Sequence, residues 1–145
     1  MTFAPRALFF TSAAQRVALA RQRYFEEGQV PSGAVNSAVL DSWARCRRLR
    51  FSPRDTLEFN LVSPSRIQLA LQRNHQLLDA WKHELPEIER ALAGTSCSAI
   101  LTDASGVLIA SAGRGSGLAA ITPTAHRVGI NLSEESVGTT APGLV

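Results

Sequence analysis

The sequence predicts an α+β chain: an N-terminal helical segment, then a long heptad-patterned helix, then an incomplete antiparallel sheet. Three observations carry this prediction. Apolar residues recur every seven positions between Ile67 and Leu92 in two interlocking series. The helical period stops at Gly94 and gives way to short runs with β-branched content. Those runs are separated by Asp103-Ala104-Ser105-Gly106, whose Asp and Gly suit a tight hairpin turn. The chain accordingly divides into an N-terminal helical region over 1–62, a connecting and dimerisation helix over 63–94, and the first part of a sheet domain over 95–145.

Each element has a local reason. Ser12 followed by Gln15 makes a capping box and opens a helix that runs to Glu27, where Gly28 and Pro31 stop it. A second helix spans Val35 to Leu49, with Val35, Val39, Trp43 and Cys46 on one face. Residues 51–62 read as a connecting loop. Ser63 is a good N-cap, and Pro64 suits a first helical position, where a missing amide hydrogen costs nothing. From there Ile67, Asn74, Trp81 and Ile88 form one sevenfold series and Leu71, Leu78, Leu85 and Leu92 the other, tracing a single seam of a and d positions that ends at Gly94. Pro86 is expected to kink or split this helix near residues 83–85, because it removes a donor and crowds the preceding turn.

Beyond Gly94, Cys97 to Thr102 and Val107 to Ala110 read as strands, and 111–120 as a mobile Gly/Ser/Ala loop. His126 to Leu132 reads as a further strand, Ser133 as the cap of a turn carrying Glu134 and Glu135, and Gly138-Thr139 as the entry to another helix. Two or three short strands leave open edges and bury neither face fully, so the sheet is expected to be cut short.

Composition excludes several classes. The 145 residues are 45% apolar, which fits a folded globular chain, and no apolar run approaches the roughly 18 residues that cross a bilayer. A cytoplasmic location is expected. There is no phosphate-binding GxxxxGK[ST] loop, and Gly113-Arg114-Gly115-Ser116-Gly117 lacks the strand-then-helix setting of a dinucleotide site. His75, His83 and His126 are too scattered for a metal set, and Cys46 and Cys97 read as buried or half-buried thiols; no cofactor and no catalytic residue is expected. Residues 1–73 carry eleven Arg against five acidic residues, and five of those Arg fall between 45 and 54. That cluster lacks interleaved aromatics or a helix-turn-helix, so a solvated or partner-facing surface is preferred over a nucleic-acid site. Asn74, the one polar seam member, either fixes register against a partner helix or lies near the surface of a seam that packs within the chain.

Four segments together resemble the N-terminal region of the acetoin-catabolism-regulator class of sigma-54-dependent, Fis-type activators. They are Ser42-Trp43-Ala44-Arg45-Cys46, Asn74-His75-Gln76-Leu77-Leu78, Leu101-Thr102-Asp103-Ala104-Ser105-Gly106-Val107-Leu108 and Ser133-Glu134-Glu135-Ser136-Val137-Gly138-Thr139-Thr140. The resemblance implies a GAF domain, begun over 95–145, behind a helical segment that often mediates dimer contacts. It implies a non-enzymatic sensor of a small metabolite, with Leu101, Ile109, Ile130, Thr139 and Thr140 toward the ligand and Leu71, Asn74, Leu78, Trp81 and Leu85 toward a second copy. Sigma-54 RNA polymerase and DNA would be met only through a downstream AAA+ ATPase and a Fis-type DNA-binding domain. Thr140 stands where the family usually has Asn, and Pro142 where Ile is common. The alternatives are a dimerising interaction or inhibitor protein without its own ligand, and a nucleic-acid binder using the Arg cluster.

Overall fold

The structure, a computed structural model, describes residues 12–31, 33–52, 54–113 and 127–140. The chain divides after Asp55 into two compact units. Among the described residues there are five helices and one two-stranded antiparallel sheet, so the coarse α+β class holds.

The first unit contains α1 (Ala13–Phe25) and α2 (Ser37–Arg48). Ser12 Oγ accepts the amide hydrogen of Gln15 at 3.2 Å, and Asn36 Oδ1 accepts that of Ala38 at 2.9 Å, so each helix starts on a side-chain cap. Tyr24, Phe25 and Trp43 pack ring on ring with centroids 5.0–5.7 Å apart. Trp43 and Cys46 are buried, and Val39 is half-buried beside them, on the apolar face read from the sequence.

The second unit begins with α3 (Pro64–Arg73) and α4 (His75–Leu92). The single long helix expected over 63–94 is therefore two, and the interruption is at Asn74, not Pro86. The cause is local. Ala70 O accepts both the Asn74 amide at 3.2 Å and Asn74 Nδ2 at 2.8 Å, a back-bond by which a short amide side chain competes with the helical ladder. His75 Nδ1 lies 3.1 Å from Gln72 O on the next residue. Pro86 lies inside α4 on its exposed side and does not end the helix. Asn74→Ala is expected to close the break, with amides 75–77 gaining protection in hydrogen exchange. Its stability change stays within about 1 kcal/mol, because the gain in helix propensity opposes the lost side-chain bond. An unchanged exchange pattern would show that Asn74 does not cause the interruption.

β1 (Ala99–Thr102) pairs antiparallel with β2 (Leu108–Ala112), with an irregularity between Leu101 and Thr102. Ser111 and Ala112, placed in the loop by composition, thus belong to the strand. Cys97 is exposed in the turn before β1, which corrects the expectation of a covered thiol; Cys46 is the buried one. The segment around 130 is not a full strand: Ile130 and Asn131 form isolated antiparallel bridges, to Leu61 and Val107 respectively. Through Leu61 and Phe59, residues that composition placed with the N-terminal region lie in the second unit. His126 and most of the glycine-rich loop lie outside the described residues.

The sheet separates two apolar clusters, as strand alternation requires. On one face Val107 and Ile109 pack with Ala70, joined by Val62, Leu71, Leu78 and Leu101. On the other, Leu108 packs with Ile130, Leu132 and Val137, joined by Phe59 and Ile100. Val137 belongs to α5 (Glu134–Val137), whose N-cap is Ser133.

Candidate functional site

The hairpin after β1 is organised by one carboxylate. Asp103 Oδ1 accepts from Ser105 N at 2.9 Å, Ser105 Oγ at 2.8 Å and Val107 N at 2.9 Å, the local bonding that makes Asp a turn former. Gly106 closes the turn with φ of +79°, and its amide donates to Asp103 O at 3.0 Å. A Cβ at this position would meet Ser133 N at 2.7 Å and Ser133 Cα at 2.9 Å. The glycine is thus demanded twice, by its dihedral and by the backbone that crosses it.

That crossing backbone is the start of the second turn. Leu132 N donates to Gly106 O at 2.8 Å and Leu108 N to Ile130 O at 2.9 Å, which fixes 130–133 against the hairpin. Asn131 holds the turn from within. Its Oδ1 accepts from Ser133 N at 3.1 Å and its Nδ2 donates to Ser136 Oγ at 2.6 Å. Ser133 Oγ reaches Ser136 Oγ at 3.3 Å instead of capping α5 with its side chain. Sequence reasoning passed over Asn131; the signal for it was an Asn two residues before a helix-capping Ser, the spacing of an Asx turn. Glu134 is buried beside Val137, whereas Glu135 is exposed.

The residues read as ligand-facing do not converge on one face. Leu101 and Ile109 lie in the cluster under α3 and α4. Ile130 lies in the opposite cluster with Leu108, Leu132 and Val137. Thr139 and Thr140 are half-buried just beyond α5, and Thr140 Oγ1 donates to Leu132 O at 3.2 Å, which places Thr140 on the Ile130 side. Comparison with protein-family models, curated proteins and solved structures finds no match.

The seam residues share one environment. Ile67, Leu71, Asn74, Leu78, Trp81, Leu85, Ile88 and Leu92 are all half-buried, and among residues 63–92 Ala70 alone is buried more deeply. Leu71 and Leu78 pack on the chain's own sheet. Ile67 abuts Gly129, and Leu92 abuts Gly113, so both ends of the seam rest on the same unit. The Asn74 amide is committed to Ala70 O. An open cleft of about 580 Å³ lies between the C-terminal end of α4, at Glu89, Leu92 and Thr95, and the end of β2 at Ser111 and Gly113; none of the five ligand candidates lines it. Among the described residues no group of three or more His, Cys, Asp or Glu is placed to hold a metal ion. No helix among them is long and apolar enough to cross a membrane.

Proposed function

We propose that this chain is the signal-receiving part of a sigma-54-dependent transcriptional activator, a non-catalytic GAF-type module that binds a small metabolite and reports occupancy through α3 and α4. One observation carries the reading: the two segments that bear most of the resemblance, 101–108 and 133–140, meet in space, with Gly106 against Ser133 and with the residues just before the second segment, Ile130 and Leu132, hydrogen-bonded to Leu108 and Gly106. Segments 24 residues apart that share motifs with one family also share one structural joint.

In this reading the ligand lies on the side of Ile130, Thr139 and Thr140. Leu101 and Ile109 connect the sheet to the seam, since they share a cluster with Leu71 and Leu78. Alternation in β2 supplies the link: Leu108 belongs to the ligand-side cluster, while its neighbours Val107 and Ile109 belong to the seam-side one. A ligand shifts such an equilibrium only by its differential affinity for the two arrangements. The effector class is a short carbonyl, alcohol or aromatic compound, and σ54 polymerase and DNA are contacted by downstream domains.

The test is thermal denaturation of the chain with a panel of those three compound classes. At least one class is expected to raise the midpoint with saturating dependence on concentration, as binding to the native state alone requires. Thr139→Val is expected to weaken that compound about tenfold if a hydrogen bond to ligand is lost. A panel with no midpoint shift would count against the reading.

A second reading, a dimerising interaction protein without its own ligand, is favoured by the residual exposure of Trp81, Leu85 and Ile88 along the seam. Sedimentation separates the two: this reading expects a dimer, disrupted by Leu85→Asp, with no compound changing stability.

A further inference from the structure

We propose that the arginine-rich C-terminal end of α2, with the turn that follows it, is a contact surface for the phosphate backbone of duplex nucleic acid, binding without reading bases. This does not rest on the metabolite-sensing reading.

The first ground is charge. From Ser42 to Arg54 the chain holds five Arg and no acidic residue, and Arg45, Arg47, Arg48, Arg50 and Arg54 are all exposed. The negative end of the α2 dipole amounts to roughly half a charge, which this many cations outweigh several-fold. Three carboxylates stand near the patch: Asp41, one turn before Arg45 on α2, Glu26 and Asp55. Glu26 accepts from Arg54 at 3.5 Å in a pair that is 52% and 85% exposed, a weak contact that a phosphate readily replaces.

The second ground is Arg50. The amide of Phe51 donates to Cys46 O at 3.0 Å and that of Arg50 to Arg47 O at 3.1 Å, the two bonds of a Schellman ending. Arg50 occupies the residue of that ending which adopts the left-handed conformation, with φ of +66°, and no other described non-glycine residue has a positive φ. Glycine fits there without strain, and any Cβ is penalised. The Arg50 side chain is exposed, and neither it nor Arg48 is in an ion pair among the described residues. A cation is held at the tip of α2 against the preference of the backbone, the kind of local conflict that marks a functional position.

The third ground separates phosphate from an acidic protein. Protein interfaces concentrate their energy in buried aromatic or apolar anchors. Here the aromatic groups, Tyr24, Phe25 and Trp43, are packed on one another, and Arg47 rests over the Tyr24 ring at 5.9 Å. What is presented outward is mostly guanidinium, whose planar fork matches phosphate oxygens in pairs, with Leu49 the one large apolar side chain exposed among the described residues of 45–54. Residues 45–54 include no Asn, Gln, Asp or Glu to read adenine or cytosine edges, and phosphates, present at every step of a duplex, are the commonest partners of Arg side chains.

The experiment is fluorescence anisotropy of the full chain with a labelled 30-base-pair duplex of mixed sequence, over 50–200 mM KCl, with poly-L-glutamate as competitor. Binding is expected, with a slope of log affinity against log salt of about −3 to −4 for three or four phosphates. A scrambled duplex should bind equally. Arg48→Glu should weaken binding at least tenfold, and Arg73→Ala should leave it unchanged. Arg50→Gly is the sharpest variant: it should reduce the slope by about 0.9 while raising the thermal midpoint by a few degrees, because strain is relieved. The proposal is overturned by no binding at 50 mM KCl, by an affinity indifferent to Arg48→Glu and Arg50→Gly, or by poly-L-glutamate competing as well as duplex of equal charge, which would mark the patch as a docking site for acidic protein.

Discussion

Replacing Gly106 by alanine is expected to cost about 3 kcal/mol of stability in the second unit, whereas the same change at Gly94 should cost only about 1 kcal/mol. Both glycines have positive φ, +79° and +75°, so the dihedral penalty is common to them. They differ in what a Cβ would touch. Gly94 has open space within 4 Å, but Gly106 faces the backbone of Ser133 at 2.7–2.9 Å, and backbone atoms have no rotamer by which to move aside. The 130–133 segment would have to retreat, breaking the bonds from Leu132 N to Gly106 O and from Leu108 N to Ile130 O. Urea unfolding followed by circular dichroism measures the difference between the two variants. Equal losses would mean that the contact between the two turns contributes little, and would also remove the joint on which the proposed function depends.

The contrast between these glycines illustrates what was legible in the sequence. Local rules performed well. Ser12, Asn36 and Ser63 all accept backbone amides at helix starts; for Ser12 and Ser63 this followed from residue type and spacing alone. The apolar seam gave the half-buried face of α3 and α4 position by position, because a heptad pattern is a geometric statement about one helix. The Asp103–Gly106 turn was likewise a local matter. What local rules left open needed a partner distant in sequence. Whether Leu101 and Ile130 lie on the same face of the sheet depends on register, and the register of Ile130 is set by Leu61 and by Asn131 opposite Val107, pairings that no local pattern encodes. The break at Asn74 was missed for a different reason: Asn ranks as a modest helix former, so its effect here comes from one side-chain bond to Ala70 O and not from propensity. Of the two outcomes expected at Pro86, the split does not occur, since α4 runs through it from His75 to Leu92.

In the first unit the largest effect is expected from Trp43→Ala. Large-to-small changes of a buried Trp cost about 3–5 kcal/mol, and a unit this small has a net stability of similar size. Trp43 is 6% exposed and contacts both other rings, at 5.5 Å from Tyr24 and 5.7 Å from Phe25, so its removal empties the space between the two helices and leaves α1 without its main apolar contact on α2. Neither helix would persist alone, since isolated helices of 13 and 12 residues are marginal in water. Hydrogen exchange should therefore show amides of both α1 and α2 losing protection together in Trp43→Ala, while Trp43→Phe, which keeps a ring in the gap, retains most of it. Arg47 adds a second readout. Its position depends on Tyr24, so loss of the aromatic group should also disorder the cationic surface and weaken any duplex binding in the alanine variant far more than in the phenylalanine one. If α1 kept native protection without Trp43, the three rings would not be what holds this unit together, and its stability would have to come from the caps and the buried Ser42 and Cys46 instead.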